Sequence, residues 1–225
     1  YFYLLYAFFV FLAVLAIVKT YKLVASHGRF SSILLLVLLI GLLYSYLLVG
    51  FGTLIRDSSF LLKLSRIRYL LLGGLSPFTV VIGTRIAQRF NTPLFREKRI
   101  VVTAWIFTLL LIALGIKFYF VADMAVAWYY GHIRFEPVTQ QELYLISATI
   151  GFILLFISLL IYAQQHYAFL FGVVLVVLIG FALMRLLVGS KIVLINDMLD
   201  MLLLLGLYKA EKHSLLYAES KKNVQ

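Results

Sequence analysis

The chain has 225 residues, of which 64% are hydrophobic and only 13% charged, and its mean hydropathy is +1.06. That balance excludes an ordinary soluble domain, which could not stay dissolved with so much apolar surface. The net charge of +11 sits in short clusters between apolar runs rather than along one basic face with interleaved aromatics. It therefore reads as the orienting and phosphate-contacting charge of a membrane protein, with no nucleic-acid partner expected.

A hydrocarbon layer of ~30 Å needs about 20 apolar residues in a helix, and seven stretches approach that length. They run Phe2 to Val18, Ile33 to Ile55, Tyr69 to Ala87, Ile100 to Ala122, Leu143 to Ala163, Tyr167 to Val188 and Ile192 to Leu207. The expected fold is an all-α, polytopic integral membrane bundle of about seven transmembrane helices, forming one domain over residues 1–225. The first stretch lacks a charged leading region and a small-residue cleavage site, so it reads as a retained anchor. Basic clusters at Lys19, Lys22 and Arg29, at Arg56, Lys63, Arg66 and Arg68, and from Arg85 to Arg99 read as loops between spans. The longest polar connection, Asp123 to Glu142, is acidic by comparison and is expected to face outward.

Basic residues gather on the cytoplasmic side of a membrane. Seven crossings place the first loop, the 85–99 segment and the tail ending in Lys221 and Lys222 in the cytoplasm, with the N-terminus outside, in a plasma or inner membrane. Tyr1, Tyr3, Tyr6, Trp128, Tyr129 and Tyr130 then share the outer interface, where amphipathic rings settle. One loop resists: Arg56, Lys63, Arg66 and Arg68 fall outside, and the third span carries Gly73, Gly74 and Pro77 in its middle. A kinked complete helix is the expectation. The alternative is six spans with a re-entrant segment, which must be sheltered from lipid, and the count of basic residues does not separate the two. Gly41 with Ser45, and Ser147 with Gly151, are small pairs spaced by four that mark helix packing faces.

The last span contains Asn196, Asp197 and Asp200 in an otherwise apolar run. Positions three apart share a helix face, and a carboxylate in hydrocarbon must face the bundle interior, pair with a cation or be protonated. Arg66 and Arg68 open span three from the same side, and Arg185 lies near the outer end of span six. The candidate ligand-binding cluster is therefore Arg66, Arg68, Arg185, Asn196, Asp197 and Asp200. Tyr44, Ser45 and Tyr46 add hydroxyls near the middle of span two.

Residues Asn196 to Asp200 also resemble the Asn-Asp-x-x-Asp motif of prenyl-transferring membrane enzymes. That five-residue resemblance implies Mg²⁺ holding a diphosphate, but a second acidic motif is absent. The four histidines fall in loops or at span ends, which argues against haem or zinc, and no cofactor is expected. Seven spans do not by themselves make a retinal protein, because Lys191 sits only at the mouth of the last span. The functional expectation is a transporter-like or ligand-binding membrane protein. Its alternatives are a non-catalytic subunit or assembly factor of a membrane complex, and a lipid or isoprenoid enzyme using Asp197 and Asp200. Expected partners are anionic lipid headgroups at the basic loops, and membrane proteins or further copies of the chain.

Overall fold

A computed structural model describes residues 2–55, 58–129, 132–138, 141–187 and 193–222. Its helices are α1 (Phe2–His27), α2 (Phe30–Phe51), α3 (Ser58–Leu75), α4 (Phe78–Arg89), α5 (Lys98–Val121), α6 (Gln141–Gln165), α7 (Ala168–Leu187) and α8 (Val193–Lys222). Two strands, β1 (Met124–Tyr129) and β2 (His132–Pro137), lie between α5 and α6. The structure is an all-α bundle with one small hairpin.

Apolar side chains occupy both the core and the outer surface of the bundle. Large apolar side chains face outward, including Leu4, Phe8, Phe120, Leu145 and Phe152, while Ser31, Ser32, Ser45, Arg68, Asp197 and Glu211 are buried. That outward apolar surface suits an apolar solvent, while between the helices the serines and ion pairs are set among large buried apolar side chains such as Leu39, Tyr46, Ile82, Ile161 and Leu207. Five helices, counting 58–89 as one, are long and apolar enough to cross a membrane. Helix α7 supplies a shorter apolar run, Ala168–Met184, and α8 carries Asp197, Asp200, Lys209, Glu211 and Lys212 along its length.

Several boundaries differ from the sequence expectation. Helix α1 continues through Lys19 and Lys22 to His27, because a lysine stem can lie along an apolar surface with its charge in water and does not stop a helix. The stop is Gly28, whose φ of +58° suits a residue without Cβ, and its N–H closes on the Val24 carbonyl at 2.7 Å. Helix α3 likewise begins at Ser58, so Lys63, Arg66 and Arg68 are helical rather than a loop. The tail is the end of α8, helical to Lys222. The 123–142 connection contains the antiparallel hairpin, paired from Met124↔Pro137 to Tyr129↔His132, and β2 packs on α3 and on the 3-10 turn at Gly52–Leu54. Tyr1, Arg56, Tyr130, Lys191 and the side chains of Trp128 and Tyr129 lie outside the described residues.

Helices α3 and α4 traverse the bundle from the hairpin end to the end holding Arg89. Pro77 has no N–H to donate and its ring obstructs the preceding turn, so the helix breaks between Leu75 and Phe78. The carbonyl of Ser76 is taken up again by the Thr79 N–H at 3.1 Å and the Thr79 hydroxyl at 2.7 Å. A re-entrant path would return both ends of this segment to one end of the bundle. Here Arg89 stands with Glu211 of α8, whereas α3 begins beside the hairpin. Close backbone approach fixes two of the crossings. A Cβ on Gly115 of α5 would stand 2.4 Å from the Gly73 oxygen of α3, and one on Gly50 of α2 would stand 2.6 Å from the Tyr6 Cβ of α1.

Candidate functional site

Two buried polar networks occupy opposite ends of the bundle, and α8 contributes to both. At the hairpin end, Asp197 is 3% exposed and Arg68 is 7% exposed. The Arg68 Nη2 stands 3.6 Å from Asp197 Oδ1, longer than a charge-assisted hydrogen bond of about 2.7–2.9 Å, so the attraction is chiefly coulombic. The tight contacts are elsewhere. Tyr6 donates its O–H to Asp197 Oδ2 at 2.5 Å, Tyr46 donates to the Asp197 carbonyl at 2.6 Å, and Arg68 Nε donates to Ser45 Oγ at 2.7 Å. Four helices, α1, α2, α3 and α8, are thereby tied by one carboxylate and one guanidinium.

Of the residues expected in this cluster, the structure brings Arg68 and Asp197 together. Asn196 and Asp200 are half-buried on the same helix, whereas Arg66 is exposed, and the side chain of Arg185 lies outside the described residues. Ser45 and Tyr46 join the network, while Tyr44 donates to the Leu64 carbonyl at 2.9 Å. Tyr6 was expected at the outer interface instead. Its signal was its position in α1, which falls opposite Gly50 once α1 and α2 pair head to tail.

The second network gave no sequence signal. Glu211, in what reads as a charged tail, is fully buried. Its Oε1 accepts from Ser31 Oγ at 2.7 Å and Ser32 Oγ at 2.8 Å. Arg89 Nη1 donates to Glu211 Oε2 at 2.7 Å and to Ser214 Oγ at 2.8 Å, and Arg89 Nη2 donates to Glu211 Oε1 at 2.9 Å and to Ser31 Oγ. This bidentate pairing, with two serines completing the carboxylate, is the geometry in which a desolvated ion pair holds. It ties α2, α4 and α8. Along α8, Asp197 and Glu211 are separated by ~21 Å at 1.5 Å per residue.

A cleft of about 390 Å³ opens beside the second network, between the end of α1, the start of α2, the end of α4 and the end of α8, and its walls include His27, Arg29, Phe30, Arg85, Arg89 and Glu219. The charges there are unevenly spent. Arg89 is held by Glu211, and His27 Nε2 faces Glu219 Oε1 at 3.1 Å. Arg85 donates to the neutral Gln88 amide oxygen at 2.9 Å, and among the described residues neither Arg29 nor Arg85 has an acidic partner. The other histidines are dispersed: His213 packs among Phe90 and Tyr167, and His166 sits at the α6–α7 turn with φ +53°. Among the described residues, no group of three metal-ligating side chains forms. No family model, no curated protein and no solved structure matches this chain.

Proposed function

We propose that this chain is an integral membrane protein of the ligand-binding or transport type, with its N-terminal end outside and its C-terminal end in the cytoplasm, and that it binds an anion at the cytoplasmic end. The observation that carries this reading is the open cleft with Arg29 and Arg85 on its walls and, among the described residues, no carboxylate spent on either. Guanidinium groups present a rigid fork of donors that matches phosphate and carboxylate oxygens, and a partly enclosed site screens them less than open water does. The orientation rests on the gathering of the α1–α2 turn, the 85–99 segment and the C-terminal end of α8 at one end of the bundle, all rich in basic residues.

The Arg68, Asp197 and Asp200 cluster takes the part of a clasp in this reading. Arg68 and Asp197 are buried and engaged with each other, with Ser45 and with Tyr6, so a ligand reaches them only if α1, α2, α3 and α8 separate. The diphosphate enzyme reading needs Asp197 available to a divalent cation, and its partner is already Arg68.

Thermal unfolding of the purified protein in detergent tests the anion reading. Phosphate, pyrophosphate and soluble phosphate monoesters are titrated against chloride at matched ionic strength. The expected result is a concentration-dependent rise in Tm, lost in the Arg29→Gln/Arg85→Gln variant. A Tm that follows ionic strength alone for all of these anions refutes it.

A further inference from the structure

Resting on that anion-binding reading, we infer that the cleft holds the phosphate headgroup of a membrane lipid, with an acyl chain lying down an aromatic strip from Phe30 to Phe78. The shared chemistry is a phosphate group; the strip decides in favour of a lipid over a free ion. Phe30 is half exposed and belongs to the cleft wall. Its ring stands 6.0 Å from that of Trp105 on α5, which in turn stands 6.4 Å edge-on to Phe78 on α4. Trp105 lies seven residues inside the start of α5 and Phe78 eleven residues below Arg89, so the strip descends ~10–16 Å from the charged end toward the middle of the bundle. Trp105 and Phe78 are both half-buried. A free phosphate would touch only the cleft. A lipid uses both parts, placing phosphate oxygens on Arg29 and Arg85 and its chain on the rings, the depth at which tryptophan favours the membrane interface.

The chemistry also assigns a part to Glu219. Its carboxylate faces His27 across the rim and is 58% exposed, so it repels an incoming phosphate while holding His27. Removing its charge strengthens binding, whereas removing Arg85 weakens it. A purely structural role for these rim residues gives no such opposition of sign.

The test uses the full chain in nanodiscs of phosphatidylcholine containing phosphatidic acid, with retained lipid measured by native mass spectrometry after detergent release. Inorganic phosphate is titrated separately by thermal shift. Expected are selective retention of phosphatidic acid over phosphatidylcholine, about tenfold weaker retention for Arg85→Gln, where one charge-assisted contact is lost, and about two- to fivefold tighter retention for Glu219→Gln. Phe30→Ala and Trp105→Ala should weaken lipid retention while leaving the phosphate shift unchanged. A phosphate shift with no selective lipid retention overturns the lipid assignment and leaves the anion site standing. Loss of both signals overturns both readings, and unchanged retention in both Arg85→Gln and Glu219→Gln places the lipid elsewhere. Near-native Tm of Glu219→Gln keeps its result independent of any folding defect in the arginine variants.

Discussion

Replacing Asp197 by leucine removes the carboxylate that holds Tyr6 at 2.5 Å and faces Arg68 at 3.6 Å. The Tyr46 hydroxyl keeps its acceptor, because that acceptor is the main-chain carbonyl. Arg68 is then a buried cation without its ion-pair partner, left with Ser45, the face of Tyr69, whose ring centre is 5.3 Å from the guanidinium carbon, and the field of the half-buried Asp200. Breaking a buried pair by removing one partner costs about 3–5 kcal/mol, well above the ~0.6 kcal/mol average for a hydrogen bond between membrane helices. Arg68→Met alone should cost a similar amount for the converse reason. The double variant Arg68→Met/Asp197→Leu removes both charges of the pair together, so its cost falls to the hydrogen bonds that Tyr6 and Ser45 made with them, about 1–3 kcal/mol, and it should be more stable than either single variant. Equilibrium unfolding in mixed detergent and lipid micelles, followed by helical circular dichroism, measures all four corners of the cycle. Arg66→Ala serves as control, since Arg66 is exposed, and should leave the midpoint near that of the wild type. Additive single effects, with the double variant the least stable, would refute the pairing.

The other end of the bundle should be at least as sensitive. Glu211→Ala strands Arg89 together with Ser31 and Ser32 and should destabilise by about 3–5 kcal/mol in the same unfolding assay; a loss under ~1 kcal/mol would mean the carboxylate is not desolvated. Gly115→Ala places a methyl 2.4 Å from the Gly73 oxygen, an overpacking worth about 1–3 kcal/mol. A neutral result would show that α3 and α5 do not cross there. Both variants retain Arg29 and Arg85 on the cleft wall, so anion-induced stabilisation should persist in whatever fraction of each remains folded.

The bundle was legible because the apolar runs approach the length of a span, five helices being long and apolar enough to cross a membrane, and the break in the third was legible because Pro77 cannot donate to the helix ladder. Helix ends were harder. Lys19, Lys22, Lys63 and Arg66 mark where charge occurs, yet helices continue through all four, and the backbone signal that ends α1 is the single left-handed Gly28. The hairpin was missed because strands of six residues at a bundle end have too little length to impose a pattern over turn-like neighbours. Asp197 announced a need for a partner because it interrupts an apolar run, and Arg68 lay on the adjoining segment. Glu211 sent no such signal. It is flanked by Lys209, Lys212 and His213, so the segment reads as solvated, and only the packing of α8 against α2 and α4 shows that one face of it is buried.

Sidedness tests the account most directly, since it requires the two networks to lie on opposite faces of a membrane. The sequence contains no cysteine, so single Ser58→Cys and Ser220→Cys variants, both at exposed positions, can be labelled with an impermeant maleimide on intact and on lysed cells. The account predicts labelling of Ser58→Cys from outside and of Ser220→Cys only after lysis. Labelling of both from the same side would contradict the traverse of α3 and α4 and with it the assignment of the Arg85 cleft to the cytoplasmic face.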